Sequence, residues 1–140
     1  MIGRLLHDFN AEFDDPTPGP EALTERVPHF IARDAATFLL VGSPPVGIAE
    51  IRFRDSLMTG EIDSYLEELY VAPDHRGRGF GKTLLERALE VARERGATRM
   101  DLATAVSDKA ARRLYESLGF INEEKPGDPT TQMLFYEIEL

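Results

Sequence analysis

The chain of 140 residues predicts a single α/β domain over positions 1–140, a three-layer α/β/α sandwich on a mixed central sheet. Three observations predict it. Segments of helical and strand period follow one another in the order helix, helix, strands, strand–turn–helix, strand–helix, strand. A basic, glycine-rich turn joins one long strand to the helix after it. The length, with 42% hydrophobic residues, suffices for one buried core and leaves no room for two.

Ile2, Leu5, Leu6, Phe9 and Phe13 recur at helical spacing, so the chain opens with an amphipathic helix, which Asp14-Asp15-Pro16-Thr17-Pro18-Gly19-Pro20 breaks. A second helix starts near Pro20, a good first-turn residue, with Leu23, Val27, Phe30 and Ile31 inward and Pro28 bending or ending it. Thr37–Val41 and Val46–Arg54 read as strands joined by a Gly42-Ser43-Pro44-Pro45 turn. The polar connector Asp55–Glu61 leads to the long strand Ile62–Val71. Beyond the glycine turn, Leu84, Leu85, Ala88, Leu89, Val91 and Ala92 share one helix face, and Gly96 stops that helix. Arg99–Val106 is a strand, followed by a helix capped by Ser107 or Asp108, with Ala111, Leu114, Tyr115 and Leu118 inward and Gly119 at its end. Asn122–Thr131, with Pro126, Gly127 and Pro129, has no regular period, and Gln132–Leu140 closes the sheet.

The turn itself carries the strongest chemical signal. In Arg76-Gly77-Arg78-Gly79-Phe80-Gly81-Lys82, the glycines let consecutive backbone N–H groups face an anion at close approach, and the new helix adds its unsatisfied amides and positive dipole end. Arg76, Arg78 and Lys82 bring positive charge to a chain whose net charge is -9. That charge is uneven: residues 1–75 hold five Lys/Arg and fourteen Asp/Glu, whereas residues 76–140 hold eleven of each. The acidic first half is placed to attract a cationic second ligand. No basic stripe with interleaved aromatics points to nucleic acid. Zero cysteines exclude disulfides, thiol nucleophiles and Cys-ligated zinc, and His7, His29 and His75 lack metal-ligand spacing, so no metal is expected. Neither a membrane-spanning apolar run nor a signal-peptide h-region is legible, and a cytoplasmic location is the expectation.

Two motifs then carry a family resemblance. Arg76-x-x-Gly79-x-Gly81 matches the pyrophosphate signature Arg/Gln-x-x-Gly-x-Gly/Ala, and Asp108-x-x-Ala111-x-x-Leu114-Tyr115-Glu116-x-Leu118-Gly119-Phe120 follows a late-helix signature with Asp in place of its Asn. In both, the chain resembles the GNAT superfamily of acyl-CoA-dependent N-acetyltransferases, closely over 62–121 and by element order over 1–61. The family's usual first strand has no counterpart before the opening helix: either it is missing or it lies outside the chain. The resemblance implies acetyl-CoA as co-substrate, its pyrophosphate on the amides of Gly77 through Lys82, Phe80 included. Its pantetheine arm would pair like an added strand with Leu69, Tyr70 and Val71. Arg78 or Lys82 would reach the 3′-phosphate, and Asp108 takes the place of a residue that helps bind the cofactor.

A primary amine with a pKa near about 10.4 is protonated at neutral pH and must lose a proton before it attacks a thioester. Glu67 and Glu68 are adjacent on a strand, which puts them on opposite faces. The run Tyr65-Leu66-Glu67-Glu68-Leu69-Tyr70-Val71 resembles the acidic strand of diamine and thialysine N-acetyltransferases, and that likeness makes Glu67 the first choice for the base and Glu68 a substrate-binding residue and second choice. The resemblance gives Tyr115 the role of acid toward the departing CoA thiolate; periodicity alone makes it a core aromatic. The expected function is acetyl transfer in a ternary complex to a small, cationic primary amine, with a homodimer as a further expected assembly. Two alternatives stay open. One is a non-catalytic acyl-CoA-binding or regulatory module. The other is a P-loop-like nucleotide binder, since Arg76 through Thr83 departs from Gly-x-x-x-x-Gly-Lys-Thr only at its first position, although only 57 residues follow.

Overall fold

The structure, a computed structural model, describes residues 1–122 and 133–140. Two helices, α1 (Ile2–Glu12) and α2 (Pro20–Ala32), precede strands β1 (Thr37–Val41), β2 (Gly47–Asp55) and β3 (Ile62–Val71). A 3-10 turn at Pro73–His75 leads into α3 (Phe80–Glu94), and β4 (Ala97–Ala105), α4 (Lys109–Ser117) and β5 (Met133–Glu139) complete the chain. The five strands form one open sheet in sequence order, with β3–β4 parallel and the other pairs antiparallel. Most of the predicted loop Asn122–Thr131 lies outside the described residues.

Strand alternation divides the core into two layers. One face of the sheet supplies Ala49, Ile51, Leu66, Met100, Leu102, Leu134 and Tyr136 to a cluster closed by Leu84, Leu85, Ala88, Leu89 and Ala92 of α3 and Tyr115 of α4. The other face gives Ile48 and Tyr70 to Leu5 and Leu6 of α1 and Val27 of α2. Each leucine fully buried in such a layer contributes about 1.5–3 kcal/mol. Helices α1 and α2 touch at Gly3, where a Cβ would stand 2.3 Å from Thr24 Oγ1 and 2.5 Å from Thr24 N. Only the absent side chain permits that approach.

Of the two outcomes open at Pro28, ending is excluded, since helix α2 runs through it to Ala32. Two expectations are corrected. Ile31 is half exposed; its neighbour Phe30 closes that turn, with the Arg52 guanidinium of β2 5.3 Å from its ring centre. Strand β4 begins two residues earlier than the pattern suggested, because parallel pairing of Ala97 with Ile62 starts directly after Gly96.

Candidate active site

The site begins where two strands part. Strands β3 and β4 pair only from Ile62 to Tyr65 against Ala97 to Asp101, while β4 stays paired with β5 through Ala105. The β4-facing edge of residues 66–71 is therefore left without a strand partner. An extended ligand can add itself to such an edge through main-chain hydrogen bonds.

The open edge leads directly to the glycine turn. Gly77 and Gly79 hold φ of +75° and +85°, and no atom lies within 4 Å of where a Cβ would stand on either. Gly79 is the N-cap of α3 with no side-chain cap, and the first helical bond is Thr83 N to Gly79 O. The amides of Phe80, Gly81 and Lys82 are thus turned outward at the positive end of a 15-residue helix, an arrangement suited to a phosphate. A cleft of about 400 Å³ joins turn and edge. Leu69, Tyr70, Val71, Arg76, Gly77, Gly79, Phe80, Gly81, Lys82, Asp108 and Tyr115 all line it, together with Phe9 and Phe13 of α1. Of the predicted phosphate cations, Lys82 borders the cleft within 3.8 Å of Glu86, whereas Arg78 is exposed outside its lining.

Arg76 is engaged elsewhere. Its Nη1 donates to Glu12 Oε1 at 2.8 Å, its Nη2 to Glu12 Oε2, and its Nε to the Val71 carbonyl at 2.8 Å. The guanidinium lies 5.6 Å from the Tyr70 ring centre. This two-point fork is the geometry in which arginine pairs a carboxylate most strongly. Asp108 caps α4, accepting from Ala111 N at 3.1 Å, while also facing the cleft.

The two strand glutamates do not alternate. Glu50 pairs with Glu68 and Ile51 with Leu66, so Glu67 is the extra residue of a β-bulge. A bulge resets the alternation. Leu66, Leu69 and Val71 remain on the α3/α4 face, and Glu67 and Glu68 both turn toward the α1/α2 face, beside Glu50 and Arg52. The expectation of opposite faces is corrected by that one residue. Glu67 is half exposed, 3.8 Å from Arg52 Nε. Burial first, then the charges of Glu50 and Glu67, push the Glu68 carboxyl up to about 7, against a hydrogen bond from Asn10. Burial also raises the Glu50 carboxyl, which Arg52 partly relieves through a 3.1 Å bond.

Tyr115 is buried between Phe120 and Tyr136, their ring centres 5.8 and 6.0 Å away, and opens to the cleft. Burial, then Asp108, then Glu68 push its phenol well above the ordinary tyrosine range, so it stays protonated at any physiological pH. The charge of Glu68 acts on Tyr115 through space although the two sit on opposite faces of the sheet. Sequence reasoning missed Glu50, Asn10 and Glu12. Only Glu50 left a trace, as a charge inside the apolar run Gly47-Ile48-Ala49-Glu50-Ile51.

Among the described residues no group of three metal-ligating side chains occurs, and no helix is long and apolar enough to cross a membrane. The parallel sheet of a P-loop nucleotide binder is not what holds this turn, since β3–β4 is the only parallel pair among the described strands. Comparison with known proteins agrees. The model of the acetyltransferase (GNAT) family matches residues 4–120. Over 78 residues, 56% of this chain, the sequence is 38% identical to a thialysine N-epsilon-acetyltransferase of Sus scrofa, and it spans only 45% of that relative's length. A solved protein of Arthrobacter sp. FB24, described as an acetyltransferase, is 40% identical with a TM-score of 0.80, covering 99% of this chain and 88% of that one. The PaiA N-acetyltransferase of Thermoplasma acidophilum, solved with coenzyme A, shares the fold at 19% identity and a TM-score of 0.69, covering 86% of this chain and 71% of that one.

Proposed function

Since the chain belongs to the GNAT acetyltransferase family, we propose that it transfers the acetyl group of acetyl-CoA to a small cationic primary amine by direct attack in a ternary complex. One observation carries this reading: the β3–β4 edge left without a strand partner leads to the bare amides of α3 along a cleft that Tyr115 lines. The amides of Phe80, Gly81 and Lys82 hold the pyrophosphate, aided by the Lys82 charge. Residues Leu69 to Val71 take the pantetheine arm along their free edge.

The amine comes from the α1/α2 side, where the acidic residues gather. Among the described residues no helix covers the sheet face beyond α2, and a groove of about 460 Å³ runs over Tyr65, Asp101, Phe135 and Glu137. A carboxyl group that titrates near neutrality is matched to taking a proton from an ammonium there, so Glu68 is the base, with Glu67 beside it as a point of attraction. The neutral amine forms its N–C bond with the thioester carbonyl, and the C–S bond breaks as the tetrahedral adduct collapses. Tyr115 donates its proton to the departing thiolate and is restored, through solvent, by the second proton that the attacking nitrogen loses on becoming an amide. A phenol kept protonated by burial is suited to that task.

The test is CoA release over a panel of polyamines, diamino acids, aminoglycosides and peptide N-termini. We expect turnover with a cationic primary amine, and at saturating acetyl-CoA its kcat/KM should fall with salt, since exposed charges are screened beyond about 8 Å at physiological ionic strength. Acetyl-CoA binding without CoA release from any amine would make the chain a non-catalytic acyl-CoA-binding module instead. In the active enzyme Tyr115→Phe should lower kcat about ten- to a thousandfold and leave acetyl-CoA affinity within about twofold, because only the hydroxyl is lost. Wild-type turnover in that variant would return Tyr115 to a packing role.

A further inference from the structure

Only part of the edge that β3 leaves open toward β4 is free to bond. The Ala72 N–H donates to the Val46 carbonyl, on the β2 side, at 2.8 Å. The Val71 carbonyl belongs to the same trans peptide, which holds its C=O opposite its N–H, so it points the other way, onto the open edge. There Arg76 Nε already donates to it at 2.8 Å. An extended residue sends its N–H and C=O to one side and its neighbour sends them to the other. The Val71 N–H and both main-chain groups of Leu69 therefore share the open edge, while those of Tyr70 face β2. The capped carbonyl lies at the helix end of that edge, where a Cβ on Gly81 of α3 would meet Val71 Cγ2 at 4.0 Å.

Arg76 is held in this position from the far side as well. Nη1 and Nη2 fork the Glu12 carboxylate, and the guanidinium lies 5.6 Å from the Tyr70 ring centre. Three of the five N–H groups of the guanidinium are thus spent within the protein. A two-point carboxylate pair fixes the plane of the fork and, with it, the direction of Nε.

We infer that Arg76 is a positioning residue that sets the register of an extended ligand on this edge. By holding the Val71 carbonyl it leaves the Val71 N–H and the Leu69 carbonyl as the first groups that a ligand's arm meets on leaving the helix amides. The inference rests on the reading of this cleft as the acetyl-CoA site. The arm of acetyl-CoA carries two amides, so a C=O of one can accept from Val71 N–H while the N–H of the other donates to the Leu69 carbonyl. A free Val71 carbonyl would add a second acceptor and admit a register moved by the two-residue repeat of the edge, about 6–7 Å. A thioester displaced that far is out of line for attack.

The experiment is NMR on the full chain, following the carbonyl carbons of Leu69 and Val71 and the Val71 amide as acetyl-CoA is added; it needs no turnover. In the wild type we expect the Leu69 carbonyl and the Val71 N–H to shift and the Val71 carbonyl to move less than about a third as far. The double variant Glu12→Gln/Arg76→Met removes the ion pair without changing the net charge. In it the Val71 carbonyl should shift too, and kcat on an amine at saturating acetyl-CoA should fall about tenfold. Affinity for adenosine 3′-phosphate 5′-diphosphate, the phosphate half of the cofactor without its arm, should stay within about threefold by calorimetry. A wild-type Val71 carbonyl that moves as far as that of Leu69 would mean that Arg76 lets go of it when the cofactor binds, and overturns the inference whether or not the variant folds. So does a tenfold loss of affinity for the phosphate half in the variant, which would make Arg76 a phosphate ligand, or an acetyl-CoA titration that shifts neither residue. Shifts as expected with no amine ever acetylated would sink the transfer reading and leave the register standing.

Discussion

Gly79→Glu is expected to weaken acetyl-CoA binding by at least about a hundredfold. The space above Gly79 is open for 4 Å around the position of a Cβ, and the amides of the first turn of α3 face the same side. A phosphate drawn there would meet a carboxylate. Two unit charges about 4 Å apart at an effective dielectric of 20 repel by about 4 kcal/mol, close to a thousandfold in affinity. Gly79 also holds a φ of +85°, so any side chain adds roughly 1–2 kcal/mol of backbone strain. Gly79→Ala separates the two effects, since it carries the strain without the charge. Calorimetry should find the alanine variant binding acetyl-CoA far more tightly than the glutamate variant. Unchanged affinity in Gly79→Glu would remove the phosphate site from this turn.

Glu68→Gln should lower kcat by about 10²–10⁴ on an amine substrate and, at the same time, stabilise the fold above neutral pH. The isosteric amide cannot take a proton. The stability effect follows from the raised folded-state value of about 7 against 4.5 in the unfolded chain. Between those two values the folded protein keeps a proton that the unfolded chain releases. The cost of ionising Glu68 is therefore absent below about 4.5, grows as pH rises, and is complete above about 7, at about 3 kcal/mol as an upper figure. The melting temperature of Glu68→Gln should exceed that of the wild type by several degrees at pH 8 and match it near pH 4.5. Glu67→Gln serves as the control, with KM raised more than kcat lowered, since Glu67 is half exposed and faces Arg52. If Glu68→Gln keeps the wild-type rate across pH while Glu67→Gln loses it, the two roles are exchanged.

The sequence by itself determined the elements and the glycine turn. Period 3.6 in Leu84 to Ala92 reproduces α3 because that pattern has one burial face to satisfy, and the apolar runs Thr37–Val41 and Ile62–Val71 coincide with β1 and β3. The glycine spacing from Gly77 to Gly81 is likewise local chemistry, set by backbone angles that few other residues adopt. Tyr115 was legible only through its motif, because its spacing with Ala111, Leu114 and Leu118 is equally that of a core residue, and the structure gives it both positions at once.

What tertiary structure decided concerns contacts made far along the chain. Strict alternation put Glu67 and Glu68 on opposite faces, and one bulge opposite Glu50 brought them to the same side; nothing in the run Tyr65 to Val71 announces it, since a bulge is a property of the pairing between two strands. The neutral titration of Glu68 has the same origin, because Glu50 and Asn10 lie 18 and 58 residues away along the chain and act only once β2 and α1 pack beside β3. Arg76 is the plainest case. Its place in a phosphate signature is a matter of local spacing, while the Glu12 carboxylate it holds is 64 residues distant, and only the packing of α1 over the end of β3 brings the two charges within hydrogen-bond range.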